Sequence, residues 1–252
     1  MDNFDHISGF FKASGHGARL ELLRDLKEIK EATARDLSDL LDVSQTYTHR
    51  HLQILMENGL VKKEGKLFVL STIGKIFVNS LGSAEVITMY EDFWESHDVS
   101  RIPQKFIEEF FVLKNTKLAN PAPIVLETIL STALKAESRV LAVSDRIPRI
   151  AVPTFRKIMK EGIEVYLLAG DISHGGSTRE CLKINGLEVN TIKMEDIYMG
   201  LMIIDNREAG VMFPDTRGAL DWNFGLGGND PSFLSWVEKN FWNMYENRII
   251  EE

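Results

Sequence analysis

The 252-residue sequence predicts two domains of different class. The first is an α+β domain of helices closed by a hairpin, the second an α/β domain with a largely parallel sheet. Three observations predict this. Apolar side chains recur at helical spacing in runs between residues 10 and 58. Two β-prone runs, LVKK and KLFVLS, follow and are joined by Glu64-Gly65. From residue 139 onward strand-like and helix-like runs alternate. The boundaries read as 1–95 for the first domain, a polar linker at 96–102, and 103–252 for the second.

The first helical run, within residues 10–30, carries Leu20, Leu22, Leu23 and Leu26 as an inward stripe. Thr33 begins a second helix in which Ala34, Leu37, Leu40 and Leu41 recur with the helical period. Asp42-Val43-Ser44 is a short connection, and the Ser44 side chain suits the cap of a third helix. That helix runs to Asn58, and Gly59 supplies the left-handed residue that ends it. After the hairpin, STIGKIFVNSL starts a further helix expected to reach Glu95. Helix, helix, short turn, helix and hairpin is the order of a winged helix-turn-helix.

Composition narrows the function classes. At 44% hydrophobic and 26% charged residues the chain describes an ordinary globular protein. One cysteine, Cys181, excludes an intramolecular disulfide and a cysteine-based zinc site. No apolar run reaches the roughly 20 residues that span a bilayer, and MDNFDHISGFF is no signal peptide, so a cytoplasmic protein without membrane partners is expected. A net charge of −8 argues against indiscriminate coating of nucleic acid. Residues 43–80 nevertheless hold five Lys/Arg against two acids. Residues 81–95 hold four acids and no base, which makes that helix a candidate dimer element or a helix packed on its own domain.

The polar front of the third helix, SQTYTHR, carries the chemistry. Thr48, Leu52 and Leu55 face the other helices, while Gln45, Thr46, Tyr47, His49, Arg50 and Gln53 are candidates to meet DNA. Arg bonds the paired acceptors of guanine and Gln the edge of adenine. Lys62, Lys63 and Lys66 sit on the hairpin, where a wing meets phosphates. The six histidines are scattered, so no metal site and no cofactor are expected.

The run from SGHGARLELLRDL through VSQTYTHRHLQILMENGLVKKEGKLFVLSTIGK resembles the ArsR/MarR-like winged-helix regulators of bacteria and archaea. The shared features are Arg-Leu-x-Leu-Leu, Val-Ser-Gln, His-Leu-x-x-Leu, Gly-Leu-Val and the closing STIG. The resemblance covers about a third of the chain and implies a DNA-binding regulator. Metal-sensing members carry cysteine pairs on the recognition-side helices, which this sequence lacks.

In the second half, IPQKFIEEFFVLKN and PAPIVLETILSTALKAE read as helices, RVLAVSD as a strand, VPTFRKIMKEG as a helix and IEVYLLAG as a strand. STRECLKIN and LEVNTIK continue the alternation, IYMGLMIIDNREAGVMF reads as two strands about a turn, and DPSFLSWVEKNFWNMYENRI as a closing helix. The IYMGLMIIDNREAGVMF hairpin resembles a phospholipase D-type half-domain, whose strand carries His-x-Lys and an Asp five residues on. The corresponding positions are Tyr198, Gly200 and Asp205, and only the Asp matches. Without the nucleophile and the phosphate-binding Lys, the activity is expected to be absent and Asp205 to be a turn residue. A degenerate domain of this kind beside a winged helix resembles the TrmB-like archaeal regulators and, more closely, methanogen regulators with a filamentation-regulator-type C-terminal domain. That resemblance implies a second domain that senses a ligand or assembles the dimer.

A ligand in an open α/β sheet binds by default at the carboxyl ends of the parallel strands. This selects Ser144, Asp145, Gly170 and Asp171, with Tyr198 and Trp222 as possible lids. GDISHGG lacks a phosphate-loop pattern, and DWNFGLGGND reads as one long loop. The expected protein is therefore not an enzyme. It is a homodimeric DNA-binding transcriptional regulator on a pseudo-palindromic operator, modulated by a possible small-molecule effector. A phospholipase D-type phosphodiesterase or nuclease, and a protein-protein interaction module of the transcription machinery, are the rival classes.

Overall fold

The third helix of the sequence forms as its caps dictate. In a computed structural model, which describes residues 3–169, 190–193 and 197–247, α1 spans Asn3–Ser14, α2 Gly17–Ile29, α3 Ala34–Leu40 and α4 Gln45–Glu57. Thr33 caps α3 in a reciprocal pair with Asp36, and Ser44 caps α4 by accepting the Tyr47 N–H at 3.2 Å. Between them Asp42 adopts φ 53°, a left-handed conformation that Asp tolerates better than most residues. Gly59 ends α4 at φ 71°. The hairpin pairs β2 (Val61–Glu64) with β3 (Leu67–Leu70), and Gly65 at φ 63° turns its tip. A two-residue strand, β1 (Glu31–Ala32), adds to the far edge of β3. Leu22, Leu23, Leu26, Leu37, Leu52 and Leu55 form the core of this unit with Phe68 and Leu70 from the hairpin. Leu20 and Leu40 do not join it, and both are exposed. At 3.6 residues per turn each lies on the flank of its helix's buried stripe.

The chain divides into two compact units, residues 1–82 and 83–252. The helix expected to run from the hairpin to Glu95 is three helices: α5 (Thr72–Ser80), α6 (Gly82–Met89) and α7 (Glu91–Glu95). Val86, Tyr90 and Phe93 are buried in the core of the second unit, so this acidic stretch packs there rather than closing the first domain. Residues 96–102 belong to the same unit and are no free linker. His97 and Ile102 are buried, and the Asp98 N–H donates to the Pro214 carbonyl at 2.9 Å.

The second unit is built on a sheet with strand order β4-β10-β9-β8-β5-β6-β7 among the described residues. Its strands are β4 (Lys117–Ala119), β5 (Arg139–Ser144), β6 (Glu164–Ala169), β7 (Asn190–Lys193), β8 (Gly200–Ile204), β9 (Glu208–Met212) and β10 (Gly225–Gly228). The sheet is mixed, which corrects the expectation of a largely parallel one. Among the described residues only β5-β6 and β6-β7 are parallel. The three residues between β8 and β9 allow a hairpin but no crossover, and β5-β8, β9-β10 and β10-β4 are antiparallel as well. The short helix α8 (Gln104–Ile107) precedes β4. The helices α9 (Ala122–Ala133) and α10 (Val152–Lys160) belong to one face of the sheet, and α11 (Pro231–Glu246) to the other. Phe233, Trp236, Val237 and Phe241 of α11 pack against Leu141, Val143, Leu201, Ile203, Val211 and Leu226. Each such large side chain, fully buried, is worth about 1.5–3 kcal/mol. Among the described residues no helix is long and apolar enough to cross a membrane.

Candidate functional site

Burial of one side of α4 decides what its other side presents. Thr48, His51, Leu52 and Leu55 are buried, which leaves Gln45, Thr46, His49, Arg50 and Gln53 exposed in the order the helical period requires. Tyr47 is half-buried and turned toward the interior edge, its ring 4.3 Å from that of His51 and 6.4 Å from that of His16. The Arg50 guanidinium lies 5.8 Å from the Tyr47 ring centroid, a cation-π contact that steadies it. Gln53 donates to Glu57 at 2.9 Å, so its amide is already engaged. On the hairpin Lys62 pairs with Glu64 at 2.6 Å and Lys63 lies over the Phe68 ring. Lys66, at the tip, is exposed and has no carboxylate partner among the described residues.

His51 was not singled out by sequence reasoning, because one buried histidine on an apolar face carries no pattern. Only 1% of its surface is exposed, and neither ring nitrogen has a hydrogen-bond partner among the described residues. Burial first, then the charges of His16, Arg50 and Arg19, hold its pKa below the ordinary histidine value. The neutral ring therefore sits in the core directly beneath the exposed row.

The expected ligand residues of the second unit separate. A cavity of about 510 Å³ lies between α9 and the sheet, and Ser144 and Trp222 both line it. The Ser144 hydroxyl is spent locally, donating to the Arg146 carbonyl at 2.7 Å. Asp145 accepts the Trp222 indole N–H at 3.1 Å and so fixes that ring without lining the cavity. Tyr198 is no lid. It is buried on the α11 side, where its hydroxyl donates to Asn240 and accepts from Asn243, both at 3.3 Å. The irregular stretch 197–199 precedes β8 and buries three successive side chains, so strand alternation does not place them. Burial pushes the Tyr198 hydroxyl up to about 12. Gly170 and Asp171 lie outside the described residues, as does Cys181.

Asp205, the one residue matching the phosphodiesterase pattern, is a clamp. Its Oδ1 accepts from the Ser138 N–H at 2.9 Å, the Ser138 hydroxyl at 2.7 Å and the Arg139 N–H at 2.7 Å. Its Oδ2 accepts from the Glu137 N–H at 2.7 Å and Arg207 Nη2 at 2.8 Å. Burial raises its pKa, but the backbone donors of Arg139, Glu137 and Ser138 outweigh this and hold the carboxyl well below the usual range. The carboxylate ties the β8-β9 turn to the start of β5. Tyr198 and Gly200 stand where that pattern has its His and Lys, and the Tyr198 hydroxyl is buried and bonded to Asn240 and Asn243.

Among the described residues no group of three or more metal-ligating side chains occurs. Residues 16–63 match the arsR family of bacterial regulatory proteins. The matched residues run from the cap of α2 through α4 into β2, the helix-turn-helix and the first strand of its hairpin.

The chain is also similar to the methanogenesis regulatory protein FilR1 of Methanothrix harundinacea (strain 6Ac), 23% identical over 227 residues, covering 82% of this chain and 50% of that protein. It thus spans about half the length of this relative. Among solved structures it is similar to TrmBL2, described as an archaeal chromatin protein with a novel mode of DNA binding, at 11% identity and TM-score 0.42, covering 90% of this chain and 91% of that one. NucT from Helicobacter pylori is matched at 14% identity and TM-score 0.43 over 54% of this chain and 98% of that one. Both structural likenesses are distant. The arsR match is confined to the helix-turn-helix segment, whereas the FilR1 similarity extends over most of the chain.

Proposed function

We propose that this chain is a DNA-binding transcription regulator that reads base edges with α4 and phosphates with the hairpin. In this reading its second unit is the seat of a small effector. The observation that carries the reading is the exposed row Gln45, Thr46, His49 and Arg50 on the N-terminal half of a helix whose opposite side is wholly buried. That is the part of a recognition helix that reaches base edges in a major groove. The match of residues 16–63 to arsR regulators supports it independently.

A homodimer on a two-fold related operator completes the reading, because two-fold symmetry in the protein requires it in the DNA. Its support is an apolar surface in the first unit. Phe4, Ile7 and Phe11 of α1 are exposed, as are Ile73 and Ile76 of α5. Phe11 and Phe77 stand 6.0 Å apart edge to face, so the two helices share that surface. Exposed apolar side chains so grouped mark an association site.

The test is selection of a DNA site from a random pool, followed by fluorescence anisotropy with variants. Arg50→Ala is expected to cost about 1–3 kcal/mol on the selected site and to relax preference at one base pair. Lys66→Ala is expected to weaken all sequences alike and to lower the salt slope by about one unit. Equal losses from Arg50→Ala on every sequence would remove it from base reading. A pool that yields no enriched site would overturn the regulator reading.

A further inference from the structure

The cavity of the second unit owes its existence to two missing side chains. Residues paired across the sheet form one row: Leu167 on β6, Ala142 on β5, Met202 on β8, Gly210 on β9, Gly227 on β10 and Lys117 on β4. Val211 and Leu226, the strand neighbours of the two glycines, point into the α11-side core. Alternation therefore turns Gly210 and Gly227 toward α9, where both line the cavity. A Cβ at Gly210 would meet only the Leu226 carbonyl oxygen, at 3.7 Å, and one at Gly227 only the Ala209 carbonyl oxygen, at 3.5 Å. Neither glycine is demanded by backbone conformation, since neither has positive φ. What they leave is a trough over β9 and β10, next to the strand β4.

The roof shows the same vacancy. Leu126 and Ile129 of α9 line the trough yet stay half-buried, because nothing rises from the floor to cover them. Phe155, Met202 and Met212 add apolar wall. At about 510 Å³ the space falls within the range of small-molecule sites.

Charge at the rim is asymmetric. Arg146 follows the end of β5, exposed, with its guanidinium 5.4 Å from the Trp222 ring centroid and no carboxylate partner among the described residues. The neighbouring Asp145 is held by the Trp222 indole. Of the other charged residues in the lining, Lys117 sits on the edge strand and Glu208 at the start of β9. Glu208 pairs with Ile204, and Ile204 with Val140, so it lies by the opposite end of β5 from Arg146. An elongated apolar ligand with one anionic head fits this arrangement, tail over the glycines and head at Arg146.

We propose that the trough binds a medium- to long-chain carboxylic acid, its chain over Gly210 and Gly227 and its carboxylate at Arg146. The proposal deepens the reading of the second unit as an effector seat and rests on it. The test is calorimetric titration of the full-length protein, without DNA, with octanoate, decanoate and dodecanoate, and with dodecanol as the uncharged control. Affinity is expected to rise about fourfold per added methylene, the burial value of one CH₂ converted to a ratio. Dodecanoate should bind more tightly than dodecanol, and Arg146→Gln should erase that difference while sparing the chain-length dependence.

Gly210→Leu should abolish binding by filling the trough, with an unliganded melting temperature equal to or above that of the parent. Gly227→Val, the second filling variant, should act likewise. Absence of binding by all three acids, or undiminished binding by both filled variants, would overturn the proposal. Tighter binding of the alcohol would overturn the place of Arg146. Because DNA is absent, acid binding by a protein that selects no DNA site would leave this inference standing while overturning the regulator reading.

Discussion

Asp205 shows how a single side chain can keep its place in a motif while changing its work. It sits at φ 50° and Asn206 at φ 57°, the paired left-handed residues that a two-stranded turn of this kind requires. Asn is as tolerant of that conformation as Asp, so Asp205→Asn isolates the charge. Three backbone N–H groups would lose an anionic acceptor, and hydrogen bonds to a charged group are worth about 1.5–3 kcal/mol. A loss of about 2–3 kcal/mol in urea unfolding at pH 7 is expected. The pH dependence has a definite sign. The folded carboxyl is held below its unfolded value of about 3.9, so its contribution is complete above that value and is lost as pH falls through the depressed one. The difference between parent and variant should therefore shrink on acidification, and a difference that ignores pH would discount the clamp. Sequence reasoning placed Asp205 in the turn but could not reach its partners, because residues 137–139 meet it only through the pairing of β5 with β8. The exposed row on α4 was legible for the opposite reason: helical period alone places Gln45, His49 and Arg50.

At the scale of elements, the junction of α4 with the hairpin is held from the start of α5. The Ser71 N–H donates to the Leu60 carbonyl at 3.0 Å, the Ser71 hydroxyl to the Gly59 carbonyl at 2.6 Å, and the Gly74 N–H to the Ser71 hydroxyl at 2.9 Å. A Cβ on Gly74 would collide with the Leu60 carbonyl oxygen, so α5 can approach this closely only with glycine there. Gly74→Ala is expected to cost about 3 kcal/mol by overpacking against backbone. Gly9→Ala, in open space on α1, should instead gain about 0.5–1 kcal/mol from helix propensity. Equal effects at the two positions in denaturant titrations would show that the close approach is not what holds the junction. Elements of this kind were legible where caps and closures are chemical, as with Ser44 and Gly59. They were illegible where the strand is too short or too poor in side chains to show a period. β1 has two residues, β4 has three, and β10 reads GLGG, which lacks every residue that favours a strand. The trough was hidden with them, since its floor consists of side chains that are not there.

At the scale of the whole molecule, the division at residue 82 follows from where apolar side chains find partners rather than from where polar ones cluster. Val86, Tyr90 and Phe93 are buried in the second unit, and the Tyr90 hydroxyl donates to the Thr116 carbonyl at 2.8 Å. The acids between them masked this in the sequence, because a charged stretch followed by SHDVSR has the composition of a boundary. That assignment removes the acidic helix's buried face from any dimer contact, though Ile87 and Met89 on its other side are exposed; the interface proposed above is the apolar surface of α1 and α5. Ile76 is 67% exposed, so Ile76→Glu takes nothing from the core. In sedimentation the parent is expected to be a dimer and the variant a monomer. On DNA the two should bind a single half-site equally, because α4 is untouched. On the paired site the variant should lose roughly 100-fold, since joining two reading heads turns the second contact into an intramolecular one. A dimeric variant would move the interface off α5. A monomeric parent that still distinguishes paired from single half-sites would place the coupling in the DNA rather than in the protein.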